Sequence, residues 1–152
     1  VVNTGKGIIK VLGTSFSIDA SGSEVQVCVE SGTVELSKPE ESIAVVLEKG
    51  DKGEISDRNK GIIKKPNEDE NYLAWKTRVL SFKETGMREV KRILEDVYGV
   101  SVIIEDTNIL DCTITSKMKK KKLKEVLEII SRTLNLDYTI EKREVTLRGF
   151  GC

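Results

Sequence analysis

The hydrophobic period of this sequence changes near its middle, so the two halves cannot form the same kind of secondary structure. Up to residue 64, apolar residues alternate with polar ones or form short runs. Beyond residue 85, they recur every three to four residues. Alternation is the period of a half-buried strand, and the longer spacing is that of an amphipathic helix. The chain is therefore expected to be α+β, with a β part first and a part containing helices second.

The first part reads as a series of short strands about ten residues apart. Turn signals such as "ASGSE" (20–24) and "DRNKG" (57–61) separate them, and Gly13-Thr14 is interpreted as a bend between two strands. We predict an all-β domain over 1–65, as a sandwich, roll or solenoid-like stack. The predicted strands are "VQVCV" (25–29), "TVELS" (33–37), "IAVVL" (43–47), "GEIS" (53–56) and "GIIKK" (61–65).

A polar, acidic stretch separates the two parts and is assigned as a linker over 66–78. It contains Pro66 and ends near Trp75, which is the only tryptophan of the chain. The favoured interpretation of Trp75 is a hydrophobic anchor that packs one half on the other. The alternative is a partner-binding hot spot.

The second part, 79–149, reads as two copies of a strand–helix–strand unit. Helical patterns span 86–99 and 123–135, with Thr85 as the expected N-cap of the first helix. A shift of 36 residues places Gly99 on Asn135, and both residue types tolerate the left-handed conformation that ends helices. We expect a small duplicated domain with two helices and two small sheets.

Composition argues against an enzyme and against a metal or cofactor site. Lysine and arginine together number 25, aspartate and glutamate also number 25, and histidine is absent. Without histidine the chain lacks the commonest general base and metal ligand, and it contains no CxxC motif. The balanced charge gives no general attraction to nucleic acid or to a membrane surface. The chain begins at Val1 without Met, so we expect it to be a piece of a longer protein.

The three cysteines, Cys28, Cys112 and Cys152, are widely spaced and allow at most one intramolecular disulfide. Cys28 shares the register of Glu24 and Gln26, which predicts a place on the polar face of its strand. Cys152 is expected to be mobile. Three separate thiols are the favoured interpretation.

A cluster of lysines near the start of the second helix is the most prominent local feature. No aromatic or arginine residues interleave with it, so a nucleic-acid site is disfavoured. A solvated surface is the favoured interpretation, and an acidic protein partner is the next. The cluster consists of Lys117, Lys119, Lys120, Lys121, Lys122 and Lys124.

Several short motifs follow one another in a specific order along the chain. The first motif is "KVLGTSF" (10–16), followed by "VQVCVESGTVEL" (25–36) and "LEKG" (47–50). Trp75 then precedes "LSF" (80–82) and a helix carrying Val90, Leu94 and Tyr98. This order resembles the periplasmic region of the FecR-like regulators, which are transmembrane anti-sigma factors or sigma regulators. The second part is also similar to the short domain at the N-terminus of secretins and TonB-dependent transducers.

This resemblance implies a non-enzymatic, periplasmic domain of a single-span inner-membrane protein. The domain would receive a signal from the N-terminal domain of a TonB-dependent outer-membrane transducer. The sigma factor would be bound only by a cytoplasmic segment outside this sequence. The alternative is a structural or oligomerising cell-envelope module. A carbohydrate-binding module is disfavoured because aromatic residues are few.

Candidate contact residues follow from exposed strand edges and aromatic side chains. The last predicted strand is a candidate edge for pairing with a partner strand. Phe150 and the segment before the first helix supply further candidates. The predicted partner-binding residues are Tyr72, Trp75, Val145, Thr146, Leu147 and Arg148.

Overall fold

The computed structural model describes residues 1–58 and 60–152 and confirms the α+β class. The chain divides into two compact units, Val1–Glu68 and Asp69–Cys152. The predicted linker, 66–78, runs across this division, and its last residues form the short helix α1 (Ala74–Thr77). Within the predicted turn over 57–61, Asn59 lies outside the described residues.

The first unit contains eight described strands arranged in two antiparallel sheets. One sheet has the order β1-β2-β5-β6 and the other β3-β4-β7-β8. The predicted strands fall within them to a few residues. The strands are β1 (Val2–Asn3), β2 (Ile8–Val11), β3 (Ser15–Asp19), β4 (Glu24–Ser31), β5 (Thr33–Lys38), β6 (Ile43–Glu48), β7 (Asp51–Ser56) and β8 (Ile63–Pro66).

Aliphatic side chains from both sheets form the core of this unit. Val27 of β4 and Leu36 of β5 are fully buried, as the alternation in their strands predicts. The absence of a side chain at Gly53 leaves room for Leu36 and Leu47, whose methyl carbons lie within 3 Å of where a Cβ would be. Gly13 has a φ of +60° between β2 and β3, which confirms the predicted bend.

The second unit contains three α-helices, one 3-10 helix (Thr107–Asp111, between β10 and β11) and five strands. A two-stranded antiparallel sheet pairs β11 with β9, and a three-stranded sheet has the order β10-β13-β12. The strand–helix–strand order therefore occurs twice, as β9-α2-β10 and β11-α3-β12. The elements after α1 are β9 (Val79–Gly86), α2 (Met87–Tyr98), β10 (Ser101–Ile104), β11 (Thr113–Lys119), α3 (Leu123–Leu134), β12 (Asp137–Glu141) and β13 (Glu144–Arg148).

The helix ends agree with the sequence at the C-terminal side and differ at the N-terminal side. Gly99 and Asn135 end α2 and α3 in the left-handed conformation, with φ of +64° and +52°. The prediction of Thr85 as the N-cap of α2 is wrong, because Gly86 occupies that position without a side-chain cap. The Thr85 hydroxyl instead accepts a hydrogen bond of 3.0 Å from the Lys83 backbone N–H.

The matching helix ends give a prediction with an internal control. Replacing Gly99 by Ala should destabilise the second unit by about 1 kcal/mol, because an L-residue with a Cβ is strained at this φ. No neighbour would contact the added Cβ, so the cost is one of backbone conformation. Gly99→Asn should cost clearly less, because Asn135 adopts the same conformation. Urea unfolding measures both variants, and equal losses would contradict this explanation.

The cysteines differ most from expectation. Cys28 lies opposite Ser17 and Lys52 in the register, so its side chain is on the polar face of β4, as predicted. It is nevertheless only 8% exposed, because β4 lies between β3 and β7. Cys112 and Cys152 form a disulfide across 40 residues, which corrects the expectation of three separate thiols and of a mobile Cys152.

Candidate functional site

Trp75 lies on α1 and is more exposed than Tyr72, the aromatic residue of the segment that leads into this helix. Its side chain is 57% exposed, whereas the neighbouring Ala74 is buried at 1%. Trp75 is therefore not buried in the core of the second unit, and its interpretation as a hydrophobic anchor between the two halves stays a prediction. An exposed tryptophan on an ordered helix is the kind of residue that dominates protein–protein contacts. Tyr72, which precedes it by three residues, is half-buried.

The residues just before α1 lie against strand β9. The Asn71 side chain and the Ser81 backbone exchange two hydrogen bonds of 2.8 Å each. The Glu70 carboxylate accepts hydrogen bonds from the Ser81 hydroxyl and from the Lys83 ammonium group. The hydrogen bond from Lys83 holds the pKa of Glu70 below its usual range, with further contributions from Ser81 and Lys117. The segment that bears Trp75 is thus fixed to the two-stranded sheet.

The other end of α1 is tied to the lysine cluster. Arg78 ends α1 with a φ of +57°, and its guanidinium lies 5.1 Å from the centre of the Tyr98 ring. The backbone N–H of Lys120 donates to the Arg78 carbonyl at 2.8 Å. The Tyr98 hydroxyl donates to the Lys121 carbonyl at 2.9 Å, and burial raises the pKa of this phenol. These contacts fix the turn between β11 and α3 beside the start of β9.

The lysine cluster is exposed, as expected for a solvated surface. Lys117, Lys119, Lys120, Lys122 and Lys124 are exposed and Lys121 is half-buried. Among the described residues, two carboxylates lie near their ammonium groups: Glu125, 3.9 Å from Lys121, and Glu70, whose pKa Lys117 helps to lower. The surface therefore keeps a local positive charge in a chain whose total charge is zero. Such a surface favours a partner with complementary negative charge.

The last strand is not an edge, which corrects the prediction for Val145 to Arg148. β13 is the middle strand of its sheet, parallel to β10 and antiparallel to β12. Val145 and Leu147 are buried at 0% and 1%, so they serve the core of the unit and are unavailable to a partner. Thr146 is half-buried and Arg148 is exposed in an ion pair of 2.6 Å with Glu105.

The six predicted contact residues therefore do not form one surface. Tyr72 and Trp75 belong to the segment that leads into the two-stranded sheet, whereas the four residues of β13 belong to the three-stranded sheet. Phe150, also a candidate, is 98% exposed. Sequence reasoning missed Glu70, Asn71 and Arg78, because their contacts join residues that no periodic pattern connects.

Residues 1–58 and 60–152 contain no group of three or more acidic or cysteine side chains placed to hold a metal ion. A polar cleft of about 410 Å³ in the first unit is lined by two ion pairs. Lys6 pairs with Asp57 at 2.9 Å and Lys38 with Glu41 at 2.6 Å, so four of the five charged side chains that line the cleft are paired, Glu40 being the fifth.

Across the described chain, every helix is too short or too polar to cross a bilayer.

Comparisons with known proteins give one family model and two similar crystal structures. Residues 79–147 match the family model described as FecR, C-terminal. Two crystal structures of a candidate anti-sigma factor from Parabacteroides distasonis ATCC 8503, at 1.65 Å and 2.50 Å resolution, are similar to this chain. Each has a TM-score of 0.60 and 26% sequence identity. The similarity covers 94% of this chain and 68% of that protein in the first structure, and 93% and 67% in the second. No curated protein matches.

The resemblance to FecR-like regulators is thereby confirmed. The family match lies in the second unit and includes β9, whose Phe82 is part of the motif, and α2 with Val90 and Leu94. The structural similarity extends through the first unit as well, since it covers almost the whole chain.

Proposed function

We propose that this chain, whose residues 79–147 match the FecR C-terminal family, is the signal-receiving part of a transmembrane anti-sigma factor. The family match is the observation that carries the proposal. The similarity to the Parabacteroides distasonis protein supports it over 94% of the chain. In this role the chain is a regulatory binding protein and not an enzyme. The sigma factor would be bound by a cytoplasmic segment outside this sequence.

The proposed location is the periplasm, as a domain of a single-span inner-membrane protein. The disulfide between Cys112 and Cys152 supports an oxidising compartment. Disulfides persist in the periplasm and are rare in the reducing cytosol. This support is independent of the family match, because it rests on the chemistry of two side chains.

The proposed partner is the N-terminal signalling domain of a TonB-dependent outer-membrane transducer. Trp75 is the residue best suited to contact it, because it is exposed on a helix that Asn71 and Arg78 hold in place. A fixed aromatic side chain loses little conformational freedom on binding. Tyr72 lies beside it in the chain and is the second candidate.

We also infer that the second unit arose as a duplicated β-α-β domain and that the first unit is a roll of short strands. The repeated strand–helix–strand order supports the duplication. So does the equal conformation of Gly99 and Asn135, which the 36-residue shift superposes.

Substitution of Trp75 tests the proposed contact. The chain is titrated calorimetrically with the N-terminal domain of the transducer encoded beside its gene. Trp75→Ala should weaken binding by about 2 kcal/mol, or roughly thirtyfold, if Trp75 is a central contact. Leu12→Ala, which removes another large exposed apolar side chain but in the first unit, serves as the control and should leave affinity unchanged.

The possible outcomes test the role of Trp75 separately from the identity of the partner. Unchanged affinity of Trp75→Ala would remove this residue from the interface while leaving the partner in place. No binding by the unaltered chain would contradict the transducer proposal. Self-association at the same concentrations would then favour the structural, oligomerising module.

A further inference from the structure

The two edges of the two-stranded sheet in the second unit are not equivalent. The edge of β9 is covered by the chain itself, because the Asn71 side chain exchanges two hydrogen bonds with the Ser81 backbone. A neighbouring strand would make the same pair of bonds through its own backbone. Across the described residues, β11 pairs with β9 alone and has no strand on its other side.

The register shows which residues of β11 face this open edge. Ser81 lies opposite Lys117, and Val79 lies opposite Lys119. Because the Ser81 backbone groups point to Asn71, away from β11, Ser81 and Lys117 form a non-hydrogen-bonded pair. The backbone N–H and C=O groups of Lys117 therefore also point away from β9. The same alternation applies two residues later, so Lys117 and Lys119 present their backbone groups at the open edge.

The side chains at this edge carry positive charge, which Glu70 compensates only in part through its interaction with Lys117. Lys117 and Lys119 are exposed on one face of β11, while Met118 between them is buried at 1%. The strand continues into Lys120 and Lys122, which are exposed in the turn before α3. The hydrogen bond from the Lys120 N–H to the Arg78 carbonyl holds this turn, so the backbone that carries its lysines is fixed. The result is an open strand edge followed by an ordered basic turn.

The residues that cover the edge of β9 indicate what kind of segment binds beside this sheet. There, Glu70 contacts Lys83 and Ser81, and the adjacent Asn71 supplies the strand-like hydrogen bonds. The edge of β9 is thus covered by Asn71, which hydrogen-bonds as a neighbouring strand would, and by the adjacent acidic residue Glu70. On β11 the same elements are present without an occupant from the described chain: open backbone groups and exposed lysines.

We propose that the open edge of β11 binds an extended acidic segment of a partner protein. The segment pairs its backbone with Lys117 and Lys119, and its carboxylates contact the ammonium groups of Lys117, Lys119, Lys120 and Lys122. This inference deepens the proposed signalling role by giving the chemistry of the partner segment, and it rests on that role only for the partner's identity.

A protein segment fits this surface better than a membrane. An anionic bilayer offers negative charge but no extended backbone, so it would leave the β11 edge unpaired. Addition of a strand satisfies the edge and places alternate side chains beside the lysines.

A peptide assay tests the proposal without the transducer. The probe is a fluorescein-labelled octapeptide of alternating Glu and Thr, and the readout is fluorescence anisotropy at low ionic strength. We expect micromolar affinity that weakens as salt is added. Lys117→Glu combined with Lys119→Glu should lower the affinity at least about tenfold. Lys49→Glu combined with Lys60→Glu, which makes the same change in net charge at exposed lysines of the first unit, should leave it nearly unchanged.

A second probe tests the strand pairing. The same peptide with alternate backbone nitrogens methylated keeps its charges but loses all of the N–H donors on one edge, which are half of its total. It should bind at least about tenfold more weakly if strand addition contributes. Equal binding of the methylated peptide, or equal loss in both double variants, would overturn the proposal. So would binding to phosphatidylglycerol vesicles without binding to the peptide. If the chain binds the transducer domain but does not bind the peptide, this inference is overturned and the proposed function is not.

Discussion

Replacing Phe82 by Ala is expected to destabilise the second unit by about 3 to 5 kcal/mol. Phe82 is 1% exposed and lies in the cluster that also contains Val90 and Leu94 of α2. Removing the ring loses its transfer free energy and leaves a cavity, which the closely packed surroundings fill only in part. A loss of this size is comparable to the whole stability of a small domain.

Trp75 makes this measurement specific to one unit. It is the only tryptophan of the chain, and it lies in the second unit, so its fluorescence during urea unfolding follows Asp69–Cys152. Phe150→Ala is the matched control, since it makes the same chemical change at a side chain that is 98% exposed. The control should change the free energy of unfolding by less than about 0.5 kcal/mol. Similar losses in the two variants would refute the assignment of Phe82 to the core.

Removing the disulfide is expected to have an effect of similar size. The bond joins Cys112 and Cys152 across 40 residues, and the loop-entropy relation assigns about 4 kcal/mol to a cross-link of this span. Cys112→Ser combined with Cys152→Ser should therefore lower the free energy of unfolding of the second unit by about 2 to 4 kcal/mol. The reason is that the cross-link restricts the unfolded chain more than the folded one.

A reducing agent provides an independent check of the same bond. It should lower the urea midpoint of the unaltered chain and leave that of the double variant unchanged. Cys28→Ala is the cysteine control: it keeps the disulfide, so its unfolding should remain sensitive to the reducing agent. If reduction has no effect on the unaltered chain, the bond does not stabilise the folded unit, and the support that it lends to a periplasmic location is lost.

Local residue patterns predicted most of the secondary structure. Alternating valines in β4 and the helical spacing of Val90 and Leu94 act within a few residues, and the observed elements follow them. The stops at Gly99 and Asn135 were also predictable, because each depends on the φ of one residue. The order of short motifs was sufficient for the resemblance to FecR-like regulators, which the match over 79–147 confirms.

The candidate contact surface was predicted only in part. Trp75 and Tyr72 were recognised as aromatic residues near a boundary, but the exposure of Trp75 depends on how α1 is held by Asn71 and by the turn at Lys120. The hydrogen bond between Lys120 and Arg78 joins residues far apart in the chain. The open edge of β11 likewise follows from a pairing register that no single segment contains.

The sequence by itself determined the α+β class, the helices and strands, and the resemblance to FecR-like regulators, because these depend on local periods and motif order. Only the tertiary structure decided the place of each strand in its sheet and the pairing of the cysteines. β13 lies in the middle of its sheet because β10, more than forty residues earlier, pairs with it in parallel. Cys112 meets Cys152 because the chain returns after α3 and two further strands. Such contacts depend on the packing of whole elements, and hydrophobic periodicity does not indicate which elements pack together.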